Sequence, residues 1–300
     1  MIGMGRMGLN MTERLINDGH LIVAHDLNDQ SLESAKTVGA ITTKLLNELV
    51  DKIEKPRTVW VMVPSGQATE DVINTLNKLL EPGDCIIDGG NSYYKDSIRR
   101  EKLSKQLSID YLDCGTSGGI WGLKNGYCLT IGGSKKVYET HKPIFKSLSP
   151  NKSNGKLYVG PIGSGHFVKM VHNGIEYGIM QAFAEGFELL ESKTKFKLNL
   201  EAISENWRRG SVINSWLLDI ITEELMNEPS LSNLSSVVQD SGEGRWTVNE
   251  SIELGVPTPV ISAALYARFR SRQEDPLSGK ILSAMRRGFG GHKSDDSRLK

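Results

Sequence analysis

Four polar side chains recur at helical spacing in an otherwise apolar segment: Lys169, His172, Asn173 and Glu176. Positions i, i+3, i+4 and i+7 share one face of an α-helix. Burying these groups without a polar partner would cost free energy, so a polar ligand in a cleft is their natural partner. Because burial can lower the pKa of a lysine until it acts as a base near neutral pH, the pattern predicts proton transfer, with Lys169 as the base and Glu176 as a complementary acid.

The alternative interpretation is a solvated helix face on which Lys169 and Glu176 form a charge pair. The residues around them are mostly apolar, however, and two nearby glycines, Gly174 and Gly178, lower helix propensity and let another group approach closely. These features favour a functional helix that is buried over most of its surface.

A second candidate site is a segment near the start of the chain that fits the pattern G-x-G-x-x-G, with the residues Gly3, Met4, Gly5, Arg6, Met7 and Gly8. Glycine is needed in such a turn because backbone N–H groups must come against the pyrophosphate of a dinucleotide. A helical pattern follows directly, and the predicted strand at residues 21–25 ends at Asp26, near the position where a carboxylate receives the ribose hydroxyls. The segment therefore predicts a dinucleotide site, with a purely structural glycine turn as the alternative.

Asp26 also bears on the choice of dinucleotide. Its carboxylate would repel the additional phosphate of NADP, and residues 25–28 offer no arginine to hold that phosphate. We therefore expect NAD to be preferred, with NADP as a possible second cofactor.

The elements that position these residues form two parts. Up to about residue 150, predicted strands at residues 21–25, 58–63, 85–88, 111–113 and 128–132 alternate with helical patterns such as residues 10–18, 69–79 and 94–106. This alternation predicts the α/β class, a doubly wound and mostly parallel Rossmann-type sheet. Only Met1 and Ile2 precede the glycine-rich turn, whereas a first strand needs roughly five residues, so we expect several N-terminal residues to be missing from the sequence.

Beyond a turn-rich linker at residues 149–165, the pattern changes to apolar helical segments at residues 166–192, 200–206, 212–226, 245–254 and 259–271. They predict an all-helical second domain. We place the dinucleotide-binding domain at residues 1–162 and the helical substrate and dimerisation domain at residues 163–300, with the active site in the cleft between them. The basic, glycine-containing tail from Arg286 is expected not to hold itself in place.

Composition excludes several other classes of protein. Lys+Arg and Asp+Glu both number 36, so no overall charge attracts nucleic acid or a membrane surface. No apolar run approaches the ~20 residues of a membrane helix. Three cysteines without ligand spacing favour a reduced, cytoplasmic protein with no metal site.

The lysine helix, residues 169–177, resembles the catalytic helix of the 6-phosphogluconate dehydrogenases. The DGGNS segment at residues 88–92, the GTSGG segment at residues 115–119 and the RRGFGGH segment at residues 286–292 resemble three further motifs of that family. The GxGxxG turn and the SGG turn also occur in the wider β-hydroxyacid dehydrogenases. The chain resembles the compact bacterial form with a reduced helical domain.

The resemblance implies oxidative decarboxylation of 6-phosphogluconate to ribulose 5-phosphate and CO₂, with reduction of NAD(P), in the pentose phosphate pathway and gluconate utilisation. Lys169 would take the proton from the C3 hydroxyl, and Glu176 would protonate the enediol that remains after CO₂ leaves. No metal is implied.

The resemblance also implies which residues form the site. The sugar acid would be held by Asn91, Ser117, Gly118, Gly119, His172 and Asn173. The phosphate would be bound by Tyr177 and Arg268, joined by Arg286 and His292 from a second subunit, so that a homodimer or a tetramer of dimers is expected. The dinucleotide would contact residues 3–8, Asp26, Val63, Pro64, Ser65 and Asn91.

One departure from the family pattern concerns the phosphate. Around residues 240–247, the longer form of the enzyme carries a phosphate-binding lysine that has no clear counterpart here. Two alternatives therefore stay open at this point. One is a β-hydroxyacid dehydrogenase that acts on a non-phosphorylated acid, and the other is a non-catalytic NAD-binding sensor.

Overall fold

The computed structural model describes residues 1–290, so that the predicted site residue His292 lies outside the described part of the chain. The chain forms two compact units, Met1–Asn173 and Gly174–Lys300. The division falls inside the long helix Ser164–Ser192, and the first turns of this helix, including Lys169, belong to the first unit.

The first unit alternates strands and helices along the chain, as the sequence predicts. Its strands are β1 Val23–His25, β2 Ile41–Thr43, β3 Thr58–Val61, β4 Cys85–Asp88, β5 Asp110–Ser117, β6 Cys128–Gly133 and β7 Lys156–Gly160. Its helices are α1 Arg6–Asn17, α2 Asp29–Thr37, α3 Leu46–Asp51, α4 Gln67–Leu79, α5 Tyr94–Gln106, α6 Gly122–Asn125, α7 Lys135–Leu148 and the beginning of α8 Ser164–Ser192.

The sheet is mostly parallel. β1 pairs with β2, and β3 to β7 lie side by side in chain order, with the pair β5–β6 antiparallel and the others parallel. Ile2 bridges the two groups through parallel pairs with His25 and Val61. One buried apolar cluster lies around Trp60, Phe145 and their neighbours, and another around Val59, Ile86 and theirs. The Rossmann-type α/β fold predicted from the sequence is confirmed.

The linker predicted at residues 149–165 is partly wrong, because it contains β7. This strand pairs in parallel with β6 through Leu129–Lys156, Thr130–Leu157 and Ile131–Tyr158. The Ser, Asn and Gly residues that suggest a linker lie mostly in the turns before and after the strand. Backbone pairing with β6 then extends a five-residue segment that is too short to show a clear apolar period.

Within the residues that the structure describes, the second unit contains helices and loops but no strand. It contains the remainder of α8, α9 Leu200–Arg208, α10 Trp216–Asn227, α11 Glu243–Leu254, α12 Pro259–Ser271 and α13 Leu277–Gly290. No helix within residues 1–290 has both the length and the apolarity needed to cross a lipid bilayer.

Two expectations about helices need correction. Residues 286–290 do not form a loose tail but complete α13, in which apolar residues recur at Leu277, Ile281, Met285 and Phe289. Helix α8 is also less buried than expected, since 52% of Ile175 and 43% of Ile179 are exposed in the single chain.

Candidate active site

The glycine-rich turn packs so closely that two of its glycines admit no side chain. A Cβ atom on Gly8 would lie 1.9 Å from the carbonyl oxygen of Gly3, and one on Gly3 would lie 2.5 Å from the carbonyl oxygen of Met62. Gly3 also has a φ of +91°, which favours glycine. By contrast, no atom lies within 4 Å of a Cβ placed on Gly5, immediately before α1 begins at Arg6. Because no side chain caps the start of α1, this geometry fits the approach of a pyrophosphate.

Asp26 joins this turn to the end of β1. One carboxylate oxygen accepts the backbone N–H of Met4 at 2.6 Å, and the other accepts that of Asn28 at 2.8 Å. The Asp26 side chain is half-buried. Each carboxylate oxygen has a further lone pair for a hydroxyl donor, so the residue fits the binding of a ribose diol.

The other predicted cofactor residues lie at the same edge of the sheet. Val63, Pro64 and Ser65 lie in the loop after β3. The side chain of Val63 lies 3.1 Å from a Cβ placed on Gly3, and its carbonyl oxygen lies 3.0 Å from one placed on Gly90. In the first unit the structure thus brings the glycine-rich turn, the loop after β3 and the loop after β4 together.

Asn91 lies half-buried in the loop after β4, and a buried network of hydrogen bonds holds this loop in place. The carboxylate of Asp88 accepts the hydroxyl of Ser92 at 3.1 Å, the hydroxyl of Tyr111 at 3.0 Å and the Arg100 guanidinium at 3.4 Å. Arg100 is 2% exposed and also binds Glu70 at 2.9 Å. Hydrogen bonds from Arg99 and Arg100 lower the pKa of Glu70 to about 2. The sequence analysis missed Arg100, whose place in the otherwise polar α5 gives no sign of burial.

The Ser117–Gly118–Gly119 turn begins at the last residue of β5, where Ser117 pairs with Cys128 of β6. Gly118 and Gly119 have φ angles of +142° and +53°. The following residue, Ile120, accepts a hydrogen bond on its carbonyl oxygen from the Asn10 side chain at 3.0 Å. Since Asn10 belongs to α1, this bond ties the predicted substrate turn to the predicted cofactor helix.

Lys169 lies half-buried in α8, and its Nζ donates to Oδ1 of Asn173 at 2.6 Å. The same oxygen lies 3.0 Å from Nδ1 of His172. An amide oxygen has two lone pairs and accepts both bonds, provided that His172 carries a proton on Nδ1. The structure thus brings together three of the four residues that the sequence analysis places on one helix face. Glu176, the fourth, is half-buried one helical turn further along α8.

In the second unit, Tyr177 and Arg268 form a stacked pair. The guanidinium carbon of Arg268 lies 3.7 Å from the centroid of the Tyr177 ring. The Tyr177 hydroxyl accepts the backbone N–H of Ser241 at 3.1 Å, and Arg268 donates to the carbonyl oxygen of Gln239 at 2.8 Å. The predicted phosphate residues Tyr177 and Arg268 are therefore neighbours, while Arg286 lies exposed in α13.

The segment around residues 240–245, where the resemblance implies that a phosphate-binding lysine is missing, is held by acid–arginine pairs. Asp240 binds Arg245 at 2.5 Å and Arg272 at 2.7 Å. Hydrogen bonds from these two arginines lower the pKa of Asp240 to about 2. Ser241 donates its hydroxyl proton to Glu243 at 2.6 Å. The sequence analysis missed Arg245 and Arg272, although three arginines within the five residues 268–272 were a visible signal.

Two known families match successive parts of the chain. The family described as the NAD binding domain of 6-phosphogluconate dehydrogenase matches residues 1–160. The family described as the 6-phosphogluconate dehydrogenase C-terminal domain matches residues 165–278.

Individual relatives match along almost the whole chain. YqeC of Bacillus subtilis is 41% identical over 98% of both chains. The NAD⁺-dependent, decarboxylating 6-phosphogluconate dehydrogenase of Haloferax volcanii is 40% identical over 98% of this chain and 97% of its own. A B. subtilis enzyme with the same description is 35% identical, and there the match covers 60% of the longer protein.

Solved structures give the same fold. The 6-phosphogluconate dehydrogenase of Plasmodium falciparum is 32% identical and superposes with a TM-score of 0.81, over 96% of this chain and 64% of that one. The 3-hydroxyisobutyrate dehydrogenase of Mycobacterium tuberculosis superposes with a TM-score of 0.72 at 20% identity, over 90% of this chain and 92% of its own. At that identity the second likeness concerns the fold alone.

Proposed function

The chain belongs to the 6-phosphogluconate dehydrogenase family, and we propose that it converts 6-phosphogluconate into ribulose 5-phosphate and CO₂ while it reduces NAD(P). The reaction is the decarboxylating step of the pentose phosphate pathway. The observation that carries the proposal is the bond from Lys169 to Asn173, because it places an amine and an amide together on the helix that resembles the family's catalytic helix.

Lys169 acts first in the proposed mechanism. The neutral amine takes the proton of the substrate's C3 hydroxyl, and Asn173 holds the amine in place at 2.6 Å. The glycine-rich turn and Asp26 would hold NAD, which would supply the acceptor for the hydride of C3. The resulting 3-keto acid loses CO₂, because the new carbonyl group can take up the electron pair of the breaking carbon–carbon bond.

Glu176 acts last in the proposed mechanism. As CO₂ leaves, the protonated Lys169 returns its proton to the former carbonyl oxygen. The resulting enediol needs a proton on carbon, with loss of the hydroxyl proton back to Lys169, to give ribulose 5-phosphate. Glu176 is half-buried in the same helix as Lys169, seven positions further along, and residues at this spacing share one helix face. We propose that its carboxyl group supplies this proton. His172 and Asn173 would hold the sugar acid, together with Asn91, Ser117, Gly118 and Gly119.

Tyr177 and Arg268 are proposed to bind the substrate's phosphate, since a guanidinium group suits the geometry of a phosphate. Arg286 and His292 of a second subunit would complete the binding. A row of exposed apolar residues on α13 supports such an assembly, since a second copy would cover it: Leu277, Ile281, Leu282, Met285 and Phe289. We therefore propose a homodimer or a tetramer of dimers.

The phosphate predicts a strong preference among substrates. Replacing 6-phosphogluconate with gluconate removes at least two charge-assisted contacts, each worth about 1.5–3 kcal/mol, so kcat/KM should fall at least about 100-fold. Initial rates of NADH formation with both substrates measure the ratio. A ratio near one would favour a β-hydroxyacid dehydrogenase for non-phosphorylated acids.

Two arginines of α12 give a matched pair of variants for the same measurement. Arg268→Ala should reduce the preference for the phosphorylated substrate, since it removes the guanidinium group that stacks on Tyr177. Arg270→Ala removes an exposed guanidinium group that donates to the carbonyl oxygen of Gln273, and it should keep the preference.

Asp26 predicts that NAD is used in preference to NADP. We expect kcat/KM to be about 10-fold or more higher with NAD, because the carboxylate repels the additional phosphate at close range. Asp26→Asn should lower the ratio of kcat/KM with NAD to kcat/KM with NADP. Asp29→Asn removes an exposed carboxylate that pairs with Lys44, and it should leave this ratio unchanged. A higher kcat/KM with NADP for the unmodified protein would contradict the prediction.

A further inference from the structure

Asp113 is a fully buried carboxylate in β5 that binds the beginning of α8. One of its oxygens accepts the backbone N–H of Gly163 at 2.8 Å, and the other accepts that of His166 at 2.7 Å. Burial raises the pKa of the Asp113 carboxyl group. The two backbone N–H groups at the start of α8 stabilise the charged carboxylate and so oppose the effect of burial on its pKa. The carboxylate therefore ties the first turn of α8 directly to the central sheet.

A second side chain holds the same turn from another direction. His166 is 1% exposed, and its Nδ1 lies 2.7 Å from the hydroxyl of Ser97 in α5. The same ring nitrogen lies 3.9 Å from Asp113. The first turn of α8 is thus attached both to β5 and to α5.

Close backbone packing leaves this turn little room to move. A Cβ atom on Gly165 would lie 2.5 Å from the carbonyl oxygens of both Asp113 and Thr130. On the facing strand, a Cβ atom on Gly115 would lie 2.4 Å from the Cβ atom of Lys169. The backbone of β5 therefore touches α8 at the lysine itself, and a shift of the first turn would carry Lys169 with it.

We propose that Asp113 is a positioning residue for Lys169: by binding the first turn of α8, it sets where the amine meets the C3 hydroxyl of the substrate. The inference rests on the proposed function, in which Lys169 removes that proton. Asp113 contacts neither substrate nor cofactor in this account and acts through the helix. A misplacement of a reacting group by about 1 Å can lower a rate about 100-fold, so even a small shift of the turn should be measurable.

Asp113→Asn tests the inference because it keeps the shape of the side chain but presents an NH₂ group to one of the two backbone N–H donors. We expect kcat with 6-phosphogluconate to fall about 10- to 100-fold. The KM for 6-phosphogluconate and the dissociation constant for NAD should stay within about threefold of the unmodified values, because the proposed cofactor residues and four of the six residues proposed to hold the sugar acid lie outside α8. The deuterium isotope effect on kcat with substrate deuterated at C3 should increase, since the chemical step becomes slower.

Asp84→Asn is a matched control. Asp84 is also buried, and its carboxylate likewise accepts two backbone N–H groups, those of Arg57 at 2.7 Å and Glu81 at 2.9 Å. It lies at the opposite end of β4 from the Asn91 loop, so this variant should lose thermal stability while kcat and the isotope effect stay unchanged. Equal losses of kcat in both variants would reduce Asp113 to a structural role and overturn the inference.

Ser97→Ala provides a second variant in case Asp113→Asn does not fold. It removes the bond to His166 at the same helical turn, and kcat should fall about 3- to 10-fold with unchanged KM. An unchanged kcat in Ser97→Ala or in a folded Asp113→Asn would overturn the inference while leaving the proposed function intact. An unmodified protein that does not turn over 6-phosphogluconate would instead overturn the proposed function, and the inference with it.

Discussion

Replacing Lys169 with methionine should lower kcat for 6-phosphogluconate about 1,000-fold or more and leave NAD binding unchanged. General base catalysis contributes about 10²- to 10⁴-fold, and the thioether of methionine can neither take the C3 proton nor bind Asn173. Methionine keeps the length and the packing of the side chain. NADH formation measures kcat, and calorimetric titration of the variant with NAD measures the dissociation constant.

The control for this variant is Lys142→Met, which makes the same substitution at an exposed position in α7. Lys142 pairs with Glu139 on the surface, so its loss should change neither kcat nor NAD binding. If Lys169→Met kept more than a tenth of the unmodified kcat, another group would have to take the C3 proton, and the assignment of the base would be wrong.

Replacing Glu176 with glutamine should slow the last protonation about 100-fold and leave the first hydride transfer largely intact. The amide has the shape of the carboxyl group but cannot donate a proton to carbon. In a rapid-mixing experiment we therefore expect a burst of NADH of about one equivalent per active site, followed by slow turnover.

Glu185→Gln is the control for that experiment, because Glu185 is exposed further along α8 and accepts a hydrogen bond from Gln181. Its kinetics should match those of the unmodified enzyme. Loss of the NADH burst in Glu176→Gln, to the same degree as the loss of steady turnover, would show that Glu176 acts before or during hydride transfer.

The sequence predicts elements well where turn residues mark their ends. The boundaries expected for β4, α5 and α12 agree with the structure, because residues typical of turns, such as Pro, Gly, Asn and Ser, lie beside them. β5 extends beyond its predicted residues 111–113 to Asp110–Ser117 because pairing with β6 continues through Gly115 and Ser117. Such an extension depends on a partner strand, which a local pattern cannot show.

Some residues of the candidate site could likewise be predicted from the sequence, and others could not. Lys169 and Asn173 could be predicted because they are four positions apart on one helix, and Asp26 because it ends a recognisable strand. The supporting residues could not: Asp113 binds N–H groups 50 and 53 positions further along the chain. A buried acid in a strand has no local pattern that tells which helix it meets, so that only the folded structure identifies it.

The most direct test of the central claim is a parallel measurement of NADH at 340 nm and of released CO₂, with purified protein, NAD and 6-phosphogluconate. The account predicts one CO₂ for each NADH formed. NADH without CO₂ would show a simple hydroxy-acid dehydrogenase. If neither NAD nor NADP were reduced, the proposed reaction would be wrong, and a non-catalytic NAD-binding sensor would be favoured.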